Sequence, residues 1–130
     1  MGFPVIDGLR VIELGTEGPL REELVGLVLA GAKRATAGLM SEYVDDQEPV
    51  EHVGERLVVV DSSGAAVAVI EVTGISVVRF ADVPDDFALA EGEGDLSGDD
   101  FRVSHSRYWA RLGTPVNDDT SIVLVRFVTV

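Results

Sequence analysis

Apolar residues recur at helical spacing after Pro19, where Leu20, Leu24, Leu27 and Val28 fall on one face. Pro19 suits a first helical turn and Gly31 a C-terminal stop, so the pattern predicts a first helix between them. The period then changes: Arg34 to Met40, with threonine and small residues, predicts a short strand. The acidic stretch Glu42 to Glu55, broken by Pro49 and Gly54, predicts a surface connection. Arg56–Asp61 is a β-branched run, Ser62-Ser63-Gly64 a hairpin turn, and the return strand extends from Ala65 to about Phe80. Gly74 marks a bulge or bend in it.

Asp82-Val83-Pro84 opens a short helix through Ala90, and Glu91-Gly92-Glu93-Gly94-Asp95 reads as a loop. A further helix runs from Ser97 or Asp99 to Leu112, with Phe101, His105, Tyr108 and Leu112 on one face and Gly113 at its close. Ser121 to Val130 is a final β-branched strand. Strands mixed with two or three helices, without repeat or linker, predict one α+β domain over residues 1–130 built around a small curved sheet.

A chain of 130 residues is long enough to bury about two-thirds of the surface its unfolded form exposes. Its hydrophobic fraction of 46% argues against disorder, and no apolar run reaches the roughly 18 residues of a membrane span. The segment Met1–Asp7 has neither the basic nor the apolar region of a secretion signal. Zero cysteines exclude disulfides and thiolate metal sites, and two histidines make a histidine-rich zinc site unexpected. A reducing cytoplasm with no metal or cofactor is the expectation.

The net charge of −13 narrows the partners. Polynucleotide binding draws most of its non-specific affinity from clustered cations, and here the arginines are dispersed among more than twice as many carboxylates. Long duplex DNA is disfavoured; a small nucleoside-like ligand or a short RNA fits better.

Lys33 is the only lysine, set in Gly31-Ala32-Lys33-Arg34-Ala35-Thr36. Lysine, unlike arginine, yields its proton when its surroundings lower its pKa, so an amine near a hydroxyl is a nucleophile-activation pair. The bland alternative is one solvated surface lysine. Lys33 and Thr36 are three apart, and in a regular strand that offset separates their side chains. They converge only if Lys33 lies in the turn after the helix, with the strand starting near Ala35.

Glu71 is the only ionisable residue between Ser62 and Val78, and alternation puts it on the face of Val67, Val69 and Thr73. If that face is the core, Lys33 is the obvious partner; otherwise Glu71 faces solvent on an edge strand. The acidic run 91–95 offers oxygen ligands but lacks calcium-loop spacing, and reads as a solvated turn. His105 and Tyr108, on an otherwise apolar face, either pack or line a pocket.

Leu27-Val28-Leu29-Ala30-Gly31-Ala32-Lys33-Arg34-Ala35-Thr36 resembles the helix-to-strand signature of ASCH domains, of the PUA-like superfamily. Val53-Gly54-Glu55, Val69-Ile70-Glu71-Val72-Thr73 and Ala90–Asp95 followed by His105 match in the same order, across residues 20–110. The resemblance implies a small β-barrel with flanking helices and a cleft holding the Lys, Thr and Glu. Family members include proposed RNA binders, ribonucleases and an amidohydrolase that removes the acetyl group of N4-acetylcytidine. Carried over, Lys33, Thr36 and Glu71 form the catalytic set, with Arg34, Glu93, His105 and Tyr108 binding substrate. The implied activity is amide hydrolysis on a modified nucleoside; the alternatives are a metal-independent ribonuclease and a non-catalytic RNA- or nucleotide-binding module.

Overall fold

Two long strands organise the molecule. The computed structural model describes residues 4–130, so Met1–Phe3, part of the segment read for a secretion signal, lie outside the described residues. Strands β1 (Val5–Ile6) and β2 (Leu9–Ile12) precede helix α1 (Pro19–Leu29), strand β3 (Ala35–Leu39) and helix α2 (Met40–Asp45). The hairpin β4 (Arg56–Val60) and β5 (Ala66–Arg79) follows, then helices α3 (Asp85–Glu91) and α4 (Gly98–Arg111), and last β6 (Ser121–Thr129). The strand order is β1-β2-β4-β5-β6-β3, with β2 parallel to β4 and the other pairs antiparallel.

β5 is long enough to serve two partners. Its first half pairs with β4 and its length from Ile70 onward pairs with β6. The register slips between Val72 and Gly74, where the sequence pattern puts the bulge, and the strand bends there. β6 is buried on both faces from Ile122 to Val125, which explains the continuous apolar run there, before Arg126. Val123, Val125 and Phe127 pack with Leu24, Val25 and Val28 of α1, while Ile122 and Leu124 pack with Phe87 of α3 and Phe101 and Trp109 of α4.

α4 begins at Ser97, whose hydroxyl accepts from the Asp100 N–H at 3.1 Å, and carries Asp99 and Asp100 in its first turn. α1 buries the face its periodicity predicts. Two departures have local causes. Met40–Asp45 forms a short helix where a strand end and an open connection were expected, since its six residues hold no Gly or Pro. The N-terminal β1–β2 pair is too short, at two and four residues, to announce itself by alternation.

The architecture is α+β, but the sheet is not closed into the expected barrel: β1 and β3 remain unpaired edges among the described residues. The sheet curls enough that Val11 and Ile12 of β2 and Thr36–Gly38 of β3 line the same cleft, of about 790 Å³. Side chains of α2, among them Glu42 and Tyr43, line that cleft as well.

Candidate functional site

The turn after α1 delivers Lys33. Gly31 adopts φ +79°, and the Ala32 and Lys33 N–H groups both return to the Leu27 carbonyl, at 3.0 and 3.1 Å. The chain then becomes β3 at Ala35, the geometry that spacing required of Lys33 and Thr36. Arg34 is stitched on both sides: its N–H donates to Ala90 O at 2.8 Å and its carbonyl accepts from Phe127 N at 3.0 Å. Its side chain is exposed and does not line the cleft beside Thr36.

Lys33 is not a solvated surface lysine; it is 1% exposed. Its ammonium donates to Ala35 O at 2.7 Å and Glu91 O at 3.4 Å, contacts the Glu93 carboxylate directly, and lies 3.9 Å from Glu91 Oε2. Three donors have three close acceptors, and none is the Thr36 hydroxyl. This environment makes Lys33 the charge anchor of the Glu91 and Glu93 carboxylates.

The expected Lys33–Glu71 pair does not form. Glu71 pairs with Arg56 at 3.2 Å, and both side chains are substantially exposed. The core face of β5 is the alternate one, carrying Ile70 and Val72 at 0% and 1% exposure. Of the two faces that alternation left open, the one carrying Glu71 is the outer one. The buried carboxylates that meet Lys33 come instead from the end of α3 and the loop after it.

Their approach depends on Gly92. It caps α3 in the left-handed region at φ +68°, and a Cβ there would lie 2.3 Å from Ala32 O. The missing side chain lets two backbone segments touch, which seats Glu91 and Glu93 around the ammonium. Glu91, 1% exposed, was hidden in sequence by a run that reads as a solvated turn. Its α3 position, one residue after buried Ala90 and before a cap-type glycine, was the available signal.

His105 completes the cluster from α4. Its ring stacks on Phe101 with centroids 3.7 Å apart, Nδ1 lies 3.0 Å from Phe101 O, and Nε2 lies 3.3 Å from Glu91 Oε1. Burial works against the charged imidazole, but Glu91, Glu93 and the Phe101 carbonyl outweigh it and raise the His105 pKa above its usual value. Glu93 is also raised: burial and the neighbouring Glu91 charge prevail over Lys33 and His105, which act to lower it. Tyr108 is raised by burial, then by Glu42 and Glu93.

A cleft of about 410 Å³ opens over this cluster, lined by Thr36, Glu93, His105 and Tyr108 as expected and by Glu91 and Glu42 in addition. It shares Thr36–Gly38 and Glu42 with the seam cleft, so the two are adjoining hollows along β3. Of the expected site residues, the structure therefore brings Lys33, Thr36, Glu93, His105 and Tyr108 to one place and leaves Arg34 and Glu71 outside it.

Comparison with known proteins agrees with this architecture. The ASCH domain family model matches residues 10–130, and the chain belongs to that family, a PUA-like fold of the RNA-binding type. It is similar to the solved ASCH domain from Lactobacillus crispatus JV V101, with 30% identity and a TM-score of 0.73, covering 92% of this chain and 77% of that one. A protein of Enterococcus faecalis V583 shares the fold at 24% identity and a TM-score of 0.78, covering 91% and 74% of the two chains. Comparison with curated proteins gave no match. No helix among the described residues is long and apolar enough to cross a membrane.

Proposed function

We propose that the chain is a hydrolase that cleaves an amide on a modified nucleoside of the N4-acetylcytidine type, in the cleft over Lys33. The observation that carries this reading is the Glu93 carboxyl: it is held against a buried ammonium, three-quarters covered, raised above its usual pKa, and shares one cleft with Thr36. A carboxyl raised in this way is closer to the pKa that proton transfer near neutral pH requires.

In this scheme the Thr36 oxygen attacks the acyl carbon and its proton passes to Glu93. The amide C–N bond breaks as Glu93 returns that proton to the departing nitrogen. Water, deprotonated by the same carboxylate, then cleaves the acyl-threonine ester and restores the hydroxyl, so the products are the carboxylic acid and the free amine. Lys33 positions and polarises Glu93 and takes no proton. Tyr108 and His105 form the wall against which a base would lie, and Glu71 stands outside the chemistry.

The ribonuclease alternative is weakened by the lining, where Glu13, Glu42, Glu91 and Glu93 face the cleft against one arginine, Arg111. A phosphodiester entering there meets net negative charge. The test is turnover of a panel of N-acylated and O-acylated nucleosides followed by chromatography. N-acylated members are expected to release the parent nucleoside, and Glu71→Gln is expected to leave the rate unchanged. Binding of the same compounds without release would make the domain a non-catalytic binder.

A further inference from the structure

The contact between Glu91 and His105 is incomplete. A carbonyl accepts and never donates, so the 3.0 Å approach of Nδ1 to Phe101 O places the imidazole proton on Nδ1. The neutral ring then presents the bare lone pair of Nε2 to Glu91 Oε1, 3.3 Å away. Oε1 is fully buried and makes no hydrogen bond. A cation must lie between two such acceptors in a dry site: the second proton of an imidazolium, or a metal ion in its place.

The Glu91–His105 spacing fits a metal ion. Tetrahedral bonds of roughly 2.0–2.1 Å to nitrogen and oxygen subtend a ligand–ligand distance of about 3.4 Å. A third donor is at hand: Asp95, whose Oδ2 accepts from Ser104 Oγ at 2.8 Å, and one ligand atom each from Glu91, Asp95 and His105 lies within 4.8 Å of the others. The Phe101 carbonyl on Nδ1 and the Ser104 hydroxyl on Asp95 are the outer contacts that orient such ligands. The other oxygen of Glu91, Oε2, is turned to the Lys33 ammonium, so its two oxygens serve separate cations. Around this point lie three carboxylates, Glu91 and Glu93 beside the ammonium and Asp95 beside His105, so two formal negative charges remain when the imidazole is neutral.

We propose that Glu91, Asp95 and His105 form a binding site for one divalent transition metal ion of the zinc class. One imidazole with two carboxylates suits such an ion better than calcium or magnesium, which take oxygen alone. Glu91 and His105 line the cleft over Thr36, and Asp95 does not. This site stands independently of the amide-hydrolysis reading, since it requires only that the ion binds.

The test uses the full chain, stripped with a chelator and dialysed, then titrated calorimetrically with Zn²⁺. One equivalent is expected, with a rise in Tm that grows with free Zn²⁺, and far weaker binding of Mg²⁺ and Ca²⁺. Glu91→Gln, Asp95→Asn and His105→Gln should each weaken Zn²⁺ binding tenfold or more. Because Glu91→Gln alters a buried residue, Co²⁺ added to the unaltered protein supplies a second readout: a visible absorption band of low-symmetry coordination, removed by equimolar Zn²⁺. No uptake of Zn²⁺ by the unaltered protein overturns the site. So does uptake that survives in Asp95→Asn and His105→Gln, which would place the ion on other surface carboxylates.

Discussion

Replacing Lys33 by methionine removes one charge while keeping most of the side chain's volume, so the loss reads the electrostatics of the buried cluster. Lys33 and Glu91 are each 1% exposed, and the Glu93 side chain is one-quarter exposed. Breaking a buried ion pair by removing one partner costs about 3–5 kcal/mol, because the partner left behind stays desolvated and unpaired. Water reaches Glu93 in part, which favours the lower end, about 3 kcal/mol. For a domain of this size that corresponds to a fall in Tm of roughly 10–15 °C.

Urea unfolding of both proteins at pH 7 measures the difference. Adding Glu93→Gln to Lys33→Met should recover about 1–2 kcal/mol, since the orphaned charge is then removed as well. The pH dependence has a definite sign. Lys33 acts to lower the Glu93 pKa, so its loss raises that pKa further above the ordinary 4.5. A carboxyl raised in the folded state contributes stability that is present below its unfolded value and lost as pH rises through the folded one. The deficit of Lys33→Met should therefore shrink as pH falls from 7 toward the ordinary carboxyl range. A loss below about 1 kcal/mol, or a deficit independent of pH, would refute the description of Lys33 as a charge anchor.

Gly92→Ala should destabilise the fold by about 2–4 kcal/mol in thermal unfolding, since it combines a left-handed φ with a backbone clash at 2.3 Å from Ala32 O. It should also slow any turnover, because Ala32 leads directly into Lys33. In chelator-treated protein, His105 contributes stability that is full below its ordinary value of 6.5 and is lost as pH rises through its raised folded value. His105→Gln should abolish that part of the stability–pH profile in urea titrations. Fluorescence anisotropy with unmodified single-stranded RNA and duplex DNA at about 150 mM salt should give dissociation constants weaker than about 10⁻⁵ M. Submicromolar binding would restore the ribonuclease reading.

Much of the frame was legible in the chain because it is local. The 3.6-residue period of Leu20, Leu24, Leu27 and Val28, the Ser62–Gly64 turn and the Gly74 bulge each depend on neighbours a few residues away. What was not legible depends on which face of an element meets another. Glu71 and Ile70 alternate as expected, yet nothing within β5 says which of its two faces α1 will cover. Glu91 looks solvated beside Gly92, Glu93 and Gly94 until the Gly92 turn presses against Ala32, sixty residues earlier. Conversely, Lys33 could be placed in the turn after α1 from Gly31 alone, and His105 and Tyr108 on one helical face from their spacing, so most of the cleft's walls were named before their partners were. Closure of the sheet is not legible locally for a related reason: it depends on whether β3 meets β1 and β2, strands far from it in sequence.

Glu93 and Thr36 are proposed to perform proton transfer and attack in the cleft anchored by Lys33. The most direct test is kcat/KM for release of acetate from N4-acetylcytidine by the unaltered protein, Glu93→Gln and Thr36→Ala, each first shown to be folded. Turnover should fall about 10²-fold or more in both variants, the usual scale for losing a proton-transfer group or a nucleophile, while Thr36→Ser retains it. Wild-type turnover in both Glu93→Gln and Thr36→Ala would contradict the proposal.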